Sequence, residues 1–347
     1  MKSFLGVNYF LSPDDGQDMV FDTSRSINQC SPFLCKFKNW IEEHYNVEVH
    51  TPDVIDWQDE RAKATLYFDY SWRYSLNDSF IKRIPHEKRA LMLIEPANVN
   101  PSLYYTYFYR KKFATVFTWD LQLLRNNPDY IAVNVPVGAE PSEYKHTGRC
   151  IPFSQKKLLV AISRNRWSYM PTSTYGIRTK AYSFFDRNTP AEFDLYGQGW
   201  NKPASPFQKI FGYPHFKCYR GPITGDHWNG KVAKLKGYKF SLCYENNASQ
   251  PGYISEKMLD CFCARCVPIY YGSDGVEDKI PKECWIDAKD FSSLDEMLEC
   301  IQNMGESEYN TKIDAIEGFL HSDACSFFST EHYFRTLAEG LKLARLS

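Results

Sequence analysis

The segment Tyr253-Ile254-Ser255-Glu256-Lys257 stands between two apolar runs, residues 238–245 and 267–272, and it places a cation where a helix should begin. Met258, Cys261, Phe262 and Arg265 continue from Ile254 at helical spacing, which predicts Ser255 as N-cap with Glu256 and Lys257 in the first turn. The positive end of a helix disfavours a lysine unless an anion sits beside it, and phosphates are the anions that helix starts hold. The pattern therefore predicts a diphosphate site, although a solvated surface lysine would fit the same spacing. Glu95 closes the strand-like run Arg89-Ala90-Leu91-Met92-Leu93-Ile94 and is followed by Pro96. A carboxylate at the carboxyl end of a strand in an open parallel sheet is partly desolvated, so its pKa can rise enough for general-base work. Capping a turn is the plainer use of such a residue. Arg178 opens a helix after the polar loop Ser163-Arg164-Asn165-Arg166, where a guanidinium can grip phosphate oxygens with two donors. That loop lacks the Gly-x-Gly-x-x-Gly fingerprint, so it is no ordinary dinucleotide site.

The elements that must position these residues alternate. In the first half, buried-strand patterns recur at residues 47–50, 64–68, 89–94, 115–119 and 131–135, with helix-like stretches at 33–45 and 79–84. Pro136, Gly138, Pro141, Gly148 and Pro152 then crowd a linker between residues 135 and 153. The alternation restarts with a strand at 157–162, a helix at 176–186 and a strand at 193–196. A proline-rich stretch follows, then a strand at 238–244, the helix after Ser255 and a strand at 267–271. Residues 295–304, 312–320 and 330–346 read as a helical tail. The expectation is an α/β chain of two Rossmann-like doubly wound domains facing each other across a cleft, residues 1–150 and residues 151–347, the second carrying the tail.

Composition narrows the function. Of 347 residues, 43% are hydrophobic and the formal net charge is -1, so no global field draws the chain to nucleic acid or an acidic membrane. The first ten residues offer only a short apolar stretch, so neither a signal peptide nor an integral membrane segment is expected. Eleven scattered cysteines suit reduced thiols and a cytoplasmic location. Cys261, Cys263 and Cys266 fall on the helix after Lys257 and point in different directions, which favours the core over a metal. No His-Glu-x-x-His pair and no Asp-x-Asp after an apolar strand argues for a metal-dependent mechanism.

Together, Phe240-Ser241-Leu242-Cys243-Tyr244-Glu245-Asn246, Tyr253-Ile254-Ser255-Glu256-Lys257 and Val267-Pro268-Ile269-Tyr270-Tyr271-Gly272-Ser273 resemble the signature of the alpha-1,3/1,4-fucosyltransferase family. Phe193-Asp194-Leu195-Tyr196-Gly197, the turn at 162–165 and Ile94-Glu95-Pro96 are similar to further family elements. The resemblance implies a GT-B enzyme, inverting and metal-independent, of the soluble bacterial type. It would move L-fucose from GDP-fucose to a hydroxyl of an oligosaccharide, with O3 of GlcNAc or Glc expected. It further implies Glu95 as catalytic base, Arg178 and Lys257 at the donor diphosphate, and Asn246, Tyr253 and Glu256 on ribose and fucose hydroxyls. Tyr253 lies seven residues after Asn246, one more than the family's usual spacing, so Asn247 is the alternative to Asn246. GDP-fucose and an oligosaccharide are the expected partners, with no cofactor and no nucleic acid. A transferase for another GDP-sugar, or a nucleotide-sugar-binding protein without turnover, would share the phosphate contacts. Tyr104, Tyr105, Tyr107 and Tyr109 are candidates for stacking on acceptor sugars.

Overall fold

The computed structural model describes residues 2–8, 16–24, 32–70, 80–105, 110–134, 151–225 and 227–346. The chain divides into two compact units, Met1–Gly138 with Thr330–Ser347, and Ala139–Ser329. The expected linker at residues 135–153 lies largely outside the described residues.

In the first unit six parallel strands, β1 (Ser3–Asn8), β2 (Val47–His50), β3 (Ala62–Phe68), β4 (Arg89–Leu93), β5 (Thr115–Thr118) and β6 (Ile131–Ala132), form one sheet in the order β2-β1-β3-β4-β5-β6. Strands that are parallel and covered on both faces need continuous apolar sequence, which β3 and β4 supply with nearly every residue buried. Sequence patterning found β2 to β6 and missed β1, whose six residues sit between β2 and β3. Helix α1 (Pro32–His44) packs on this sheet through Leu34, Phe37 and Ile41. The expected helix at 79–84 is only a single 3-10 turn, Ile81–Arg83.

The helical tail is the main correction. Its last helix, Thr330–Gly340, belongs to the first unit rather than the second. Tyr333, Phe334, Leu337 and Ala338 are buried on it, and the Phe334 ring lies 5.0 Å from that of Phe37. Gly340 ends the helix against β5 and β6, since a Cβ there would meet the Phe117 ring at 2.3 Å. An amphipathic pattern states that a helix has an apolar face, but not which sheet that face will cover.

The second unit holds β7 (Lys157–Ile162), β8 (Phe193–Tyr196), β9 (Tyr238–Tyr244), β10 (Val267–Tyr271) and β11 (Ile286–Asp287), all parallel, in the order β11-β10-β9-β7-β8. Between them run α2 (Tyr175–Asn188), α3 (Pro206–Phe211) and α4 (Glu256–Cys263), and α5 (Glu306–Leu320) follows. This is a doubly wound order whose direction reverses between β7 and β9, and such sheets bind ligands at the carboxyl ends of the strands beside that reversal. Cys261, Cys263 and Cys266 are fully buried here, as their sequence position suggests, and among the described residues no three His, Cys, Asp or Glu side chains gather as a metal site.

Candidate active site

A cavity of about 320 Å³ opens at that reversal. Its wall takes Ile162 from the end of β7, Ser163, Arg164 and Arg166 from the loop after it, Gly197 and Gln198 from the end of β8, and Asn246 from the end of β9. Arg178 of α2, Ile223, Lys231, and Glu256 and Lys257 at the start of α4 complete it. The end of β8 and the loop after β7 can converge so closely because of Gly197. It has φ +127, and a Cβ there would stand 1.9 Å from the carbonyl oxygen of Ser163. The Trp200 indole N–H donates to that same oxygen at 2.7 Å and fixes the approach.

Arg178 is 3% exposed, so it is no solvated helix start. Its Nη2 donates to the carbonyls of Tyr244 (2.7 Å) and Glu245 (3.2 Å) and to Asn246 Oδ1 (3.2 Å). These bonds tie α2 to the end of β9, while the enclosed Nε has no partner among the described residues. Asn246 faces the cavity. Asn247 is fully buried and uses Oδ1 to accept from the backbone N–H groups of Ser249 and Gln250, a local turn bond. Of the two alternatives, Asn246 is the one on the wall.

Ser255 precedes α4 as expected, but its hydroxyl caps nothing. It donates instead to the carboxylate of Glu245 at 2.8 Å, and Lys257 Nζ donates to Glu245 Oε2 at 2.8 Å and to Ser255 Oγ at 2.8 Å. Glu245 is completely buried. One anion beside the lysine of the helix start is thus already within the protein, the Glu245 carboxylate, where the pattern pointed to a phosphate. Burial would push the Lys257 ammonium down, but the charges of Glu245 and Glu256 outweigh it and hold the pKa above its ordinary value. Lys257 stays cationic on the cavity wall.

Glu256 is held far below the usual carboxylate range. Burial works against this, and the charges of Lys231 first and Lys257 second override it. Lys231 Nζ donates to Glu256 Oε1 at 3.2 Å and pairs with the buried Asp260, one helical turn further on. Lys231 was not foreseen. It lies in a single π-helical stretch, His227–Val232, within the proline-rich region where no period announces an element. Tyr253 is not on the wall. It is 4% exposed, and its carbonyl accepts from the hydroxyls of Tyr270 and Ser273.

In the first unit, three adjacent parallel strands each end in a carboxylate: Asp69 after β3, Glu95 after β4 and Asp120 after β5. Asp120 is committed as the N-cap of Leu121–Asn126, accepting from the N–H groups of Gln122 and Leu123. Asp69, in the left-handed region at φ 55, accepts from the backbone N–H of Ile94 (2.9 Å) and of Glu95 (3.2 Å). The Tyr104 hydroxyl donates to the Glu95 carbonyl at 2.9 Å. The turn carrying Glu95 is therefore gripped from two sides, and Glu95 itself is half-buried. Burial, aided by the charge of Glu95, lifts the Asp69 carboxyl to about 7 against the two N–H donors. Tyr107 and Tyr109 lie outside the described residues, as does the side chain of Tyr105.

Residues 169–312 match the model of the glycosyltransferase family 10 (fucosyltransferase) C-terminal domain. The matched residues lie within the second unit, which is thus similar to a family 10 fucosyltransferase domain over most of its length. The chain is similar to the alpha-(1,3)-fucosyltransferase of Helicobacter pylori, at 27% identity over 320 residues, covering 82% of this chain and 64% of that protein. A shorter stretch of 81 residues is 35% identical to the alpha-(1,4)-fucosyltransferase of Arabidopsis thaliana, covering 22% of this chain and 20% of that one. The chain thus spans less than two thirds of the length of these relatives. Among solved structures, an alpha1,3-fucosyltransferase with GDP-fucose aligns with a TM-score of 0.52 at 15% identity, over 98% of this chain and 89% of that one. The T4 phage beta-glucosyltransferase aligns with a TM-score of 0.57 at 9% identity, over 99% and 100%. At such identities these two likenesses speak for the fold alone: two parallel α/β sheets, the GT-B class.

Proposed function

We propose that this family 10 domain, with the unit that precedes it, transfers L-fucose from GDP-fucose to a sugar hydroxyl with inversion, and that it needs no metal. The charge count of the cavity carries the reading. Five cations line it, Arg164, Arg166, Arg178, Lys231 and Lys257. Three carboxylates answer them, Glu245, Glu256 and Asp260, leaving a surplus of two positive charges at the reversal point of a doubly wound sheet. A nucleoside diphosphate sugar carries two negative charges on its diphosphate, and its volume suits a cavity of this scale. Fixed cations also meet the chemical demand, because the charge that develops on the leaving GDP must be stabilised by groups already in place.

In the proposed reaction the acceptor hydroxyl gives its proton to Glu95 while its oxygen attacks the anomeric carbon of fucose. The bond from that carbon to the diphosphate oxygen breaks, and GDP departs with the electron pair toward Arg178 and Lys257. Inversion follows from attack on the face opposite the leaving group. Glu256, held ionised by two lysines, is a poor base and a good acceptor for sugar hydroxyls, and Asn246 offers an amide on the same cavity wall. Glu95 is assigned as base on its position at the end of β4 and on the family resemblance.

The test is transfer from labelled GDP-fucose to a panel of GlcNAc- and Glc-terminated oligosaccharides in chelator, with GDP-mannose in parallel. Fucosylated product is expected. Product only from GDP-mannose would assign another donor, and donor binding with neither transfer nor hydrolysis would make the chain a binding protein.

A further inference from the structure

Helix α3 is built with care and then turned outward. Ser205 accepts from the Gln208 N–H at 3.2 Å, Gln208 Oε1 accepts in return from the Ala204 N–H at 2.7 Å, and Pro206 occupies the first turn. This reciprocal cap fixes a six-residue helix that buries none of its own residues. Its apolar stripe at i, i+3 and i+4 is the exposed side: Phe207 is 65% exposed, Ile210 75% and Phe211 71%, with the two rings 4.5 Å apart. A stripe at that spacing ordinarily faces a core. The neighbouring loop adds Trp167 and Tyr169, both exposed, and is tied to this segment because Asn165 Nδ2 donates to the carbonyls of Gly199 and Lys202.

The segment that carries the stripe has charged residues of one sign. Residues 195–225 contain Lys202, Lys209, Lys217 and Arg220 and no Asp or Glu, in a chain whose 41 basic and 42 acidic residues otherwise balance. Arg220 is answered by Asp194, whereas Lys202, Lys209 and Lys217 are exposed and have no ion-pair partner among the described residues. We propose that the outward face of α3, with Phe207, Ile210 and Phe211, together with the exposed Lys202, Lys209 and Lys217 of the same segment, seats the protein on an anionic lipid bilayer surface. Aromatic and aliphatic side chains enter the boundary between headgroups and acyl chains while lysines meet the lipid charge, the composition of an interfacial helix. A second copy of the chain fits less well. Isologous pairing would bring these lysines onto one another with no acidic residue of the segment between them. No described helix is long and apolar enough to cross a membrane, so attachment here would be to the surface only.

Co-sedimentation of the full chain with vesicles tests this. Vesicles of phosphatidylglycerol and phosphatidylcholine should pellet the protein at least about tenfold better than phosphatidylcholine alone, and ~0.5 M salt should release it. The variant Phe207→Ser/Ile210→Ser/Phe211→Ser should lose binding by about tenfold or more while keeping the wild-type circular dichroism spectrum and melting. Lys202→Glu/Lys209→Glu should lose the preference for the anionic lipid. Equal pelleting with both lipids, no pelleting at low salt, or full binding by the triple variant would overturn the proposal. So would a concentration-dependent dimer in sedimentation velocity that the triple substitution abolishes, since that would give the surface to a second copy.

Discussion

Lys257 shows how far residue chemistry can be carried from sequence and where it stops. The argument that a lysine in the first turn of a helix needs an anion holds, but the nearest anion is Glu245, at the carboxyl end of β9, joined through Ser255. Glu245 was part of a recognisable motif, yet nothing in its spacing says that its carboxylate is buried and aimed at Lys257. Removing Lys257 should therefore do two things. Lys257→Ala should weaken GDP binding and remove about 2–4 kcal/mol of transition-state stabilisation, measured as kcat/KM. It should also strand a buried carboxylate and cost stability, whereas Lys257→Ala/Glu245→Gln should regain stability without regaining activity. Calorimetry and denaturation of both variants check this, and a double variant that also recovers turnover would contradict it. Asp69 gives a pH prediction. Its folded pKa is raised to about 7 from an ordinary 3.8, so it favours the folded state at low pH, and that contribution is lost as pH rises through about 7. Asp69→Asn keeps an oxygen for the Ile94 and Glu95 N–H groups and removes the titration. Urea midpoints should converge for wild type and variant near pH 4 and separate by pH 7.5, the variant being the more stable. A wild-type advantage at pH 7.5 would show that the carboxylate charge helps the fold.

At the level of elements, the sequence announced most of what positions the proposed donor cavity. The limits of β7, β8, β9 and β10 agree with the apolar runs read at 157–162, 193–196, 238–244 and 267–271, because fully covered parallel strands are short apolar blocks ended by polar or glycine punctuation. β1 was hidden because the strand has only six residues in a short apolar stretch that Ser12, Pro13, Asp14 and Asp15 interrupt, too few for a period to stand out. α3 and the π-helical stretch with Lys231 lie among prolines that read as loop, and Lys231 was lost with them. Gly197 carries the closest approach between elements. Gly197→Ala sets a Cβ against the Ser163 carbonyl at a backbone angle that side chains rarely adopt, so the ends of β7 and β8 must part. The expected result is a stability loss of about 1–3 kcal/mol together with weaker GDP binding, read by thermal unfolding and titration. Unchanged GDP affinity would mean that the junction of β7 and β8 is not part of the donor site.

The whole chain is two α/β units, and the helix Thr330–Gly340 joins its carboxyl end to the first of them through Phe334, against Phe33 and Phe37. Phe334→Ala should destabilise the first unit by about 3–5 kcal/mol and leave GDP affinity near wild type, since every cation of the proposed donor cavity belongs to the second. Differential scanning calorimetry with and without GDP checks it: loss of GDP affinity in Phe334→Ala would contradict the division of labour. Fold class was legible from the alternation of strands and helices, but assignment of the tail was not, since it depends on which sheet offers a free apolar face. The central claim is that this chain moves fucose from GDP-fucose with Glu95 accepting the acceptor's proton. The most direct measurement is the transfer rate of Glu95→Gln at saturating donor and acceptor, beside a GDP titration of the same variant. The account predicts turnover lower by about a hundredfold or more with GDP affinity unchanged, because the amide keeps the shape and cannot take the proton. Near-normal turnover would contradict it.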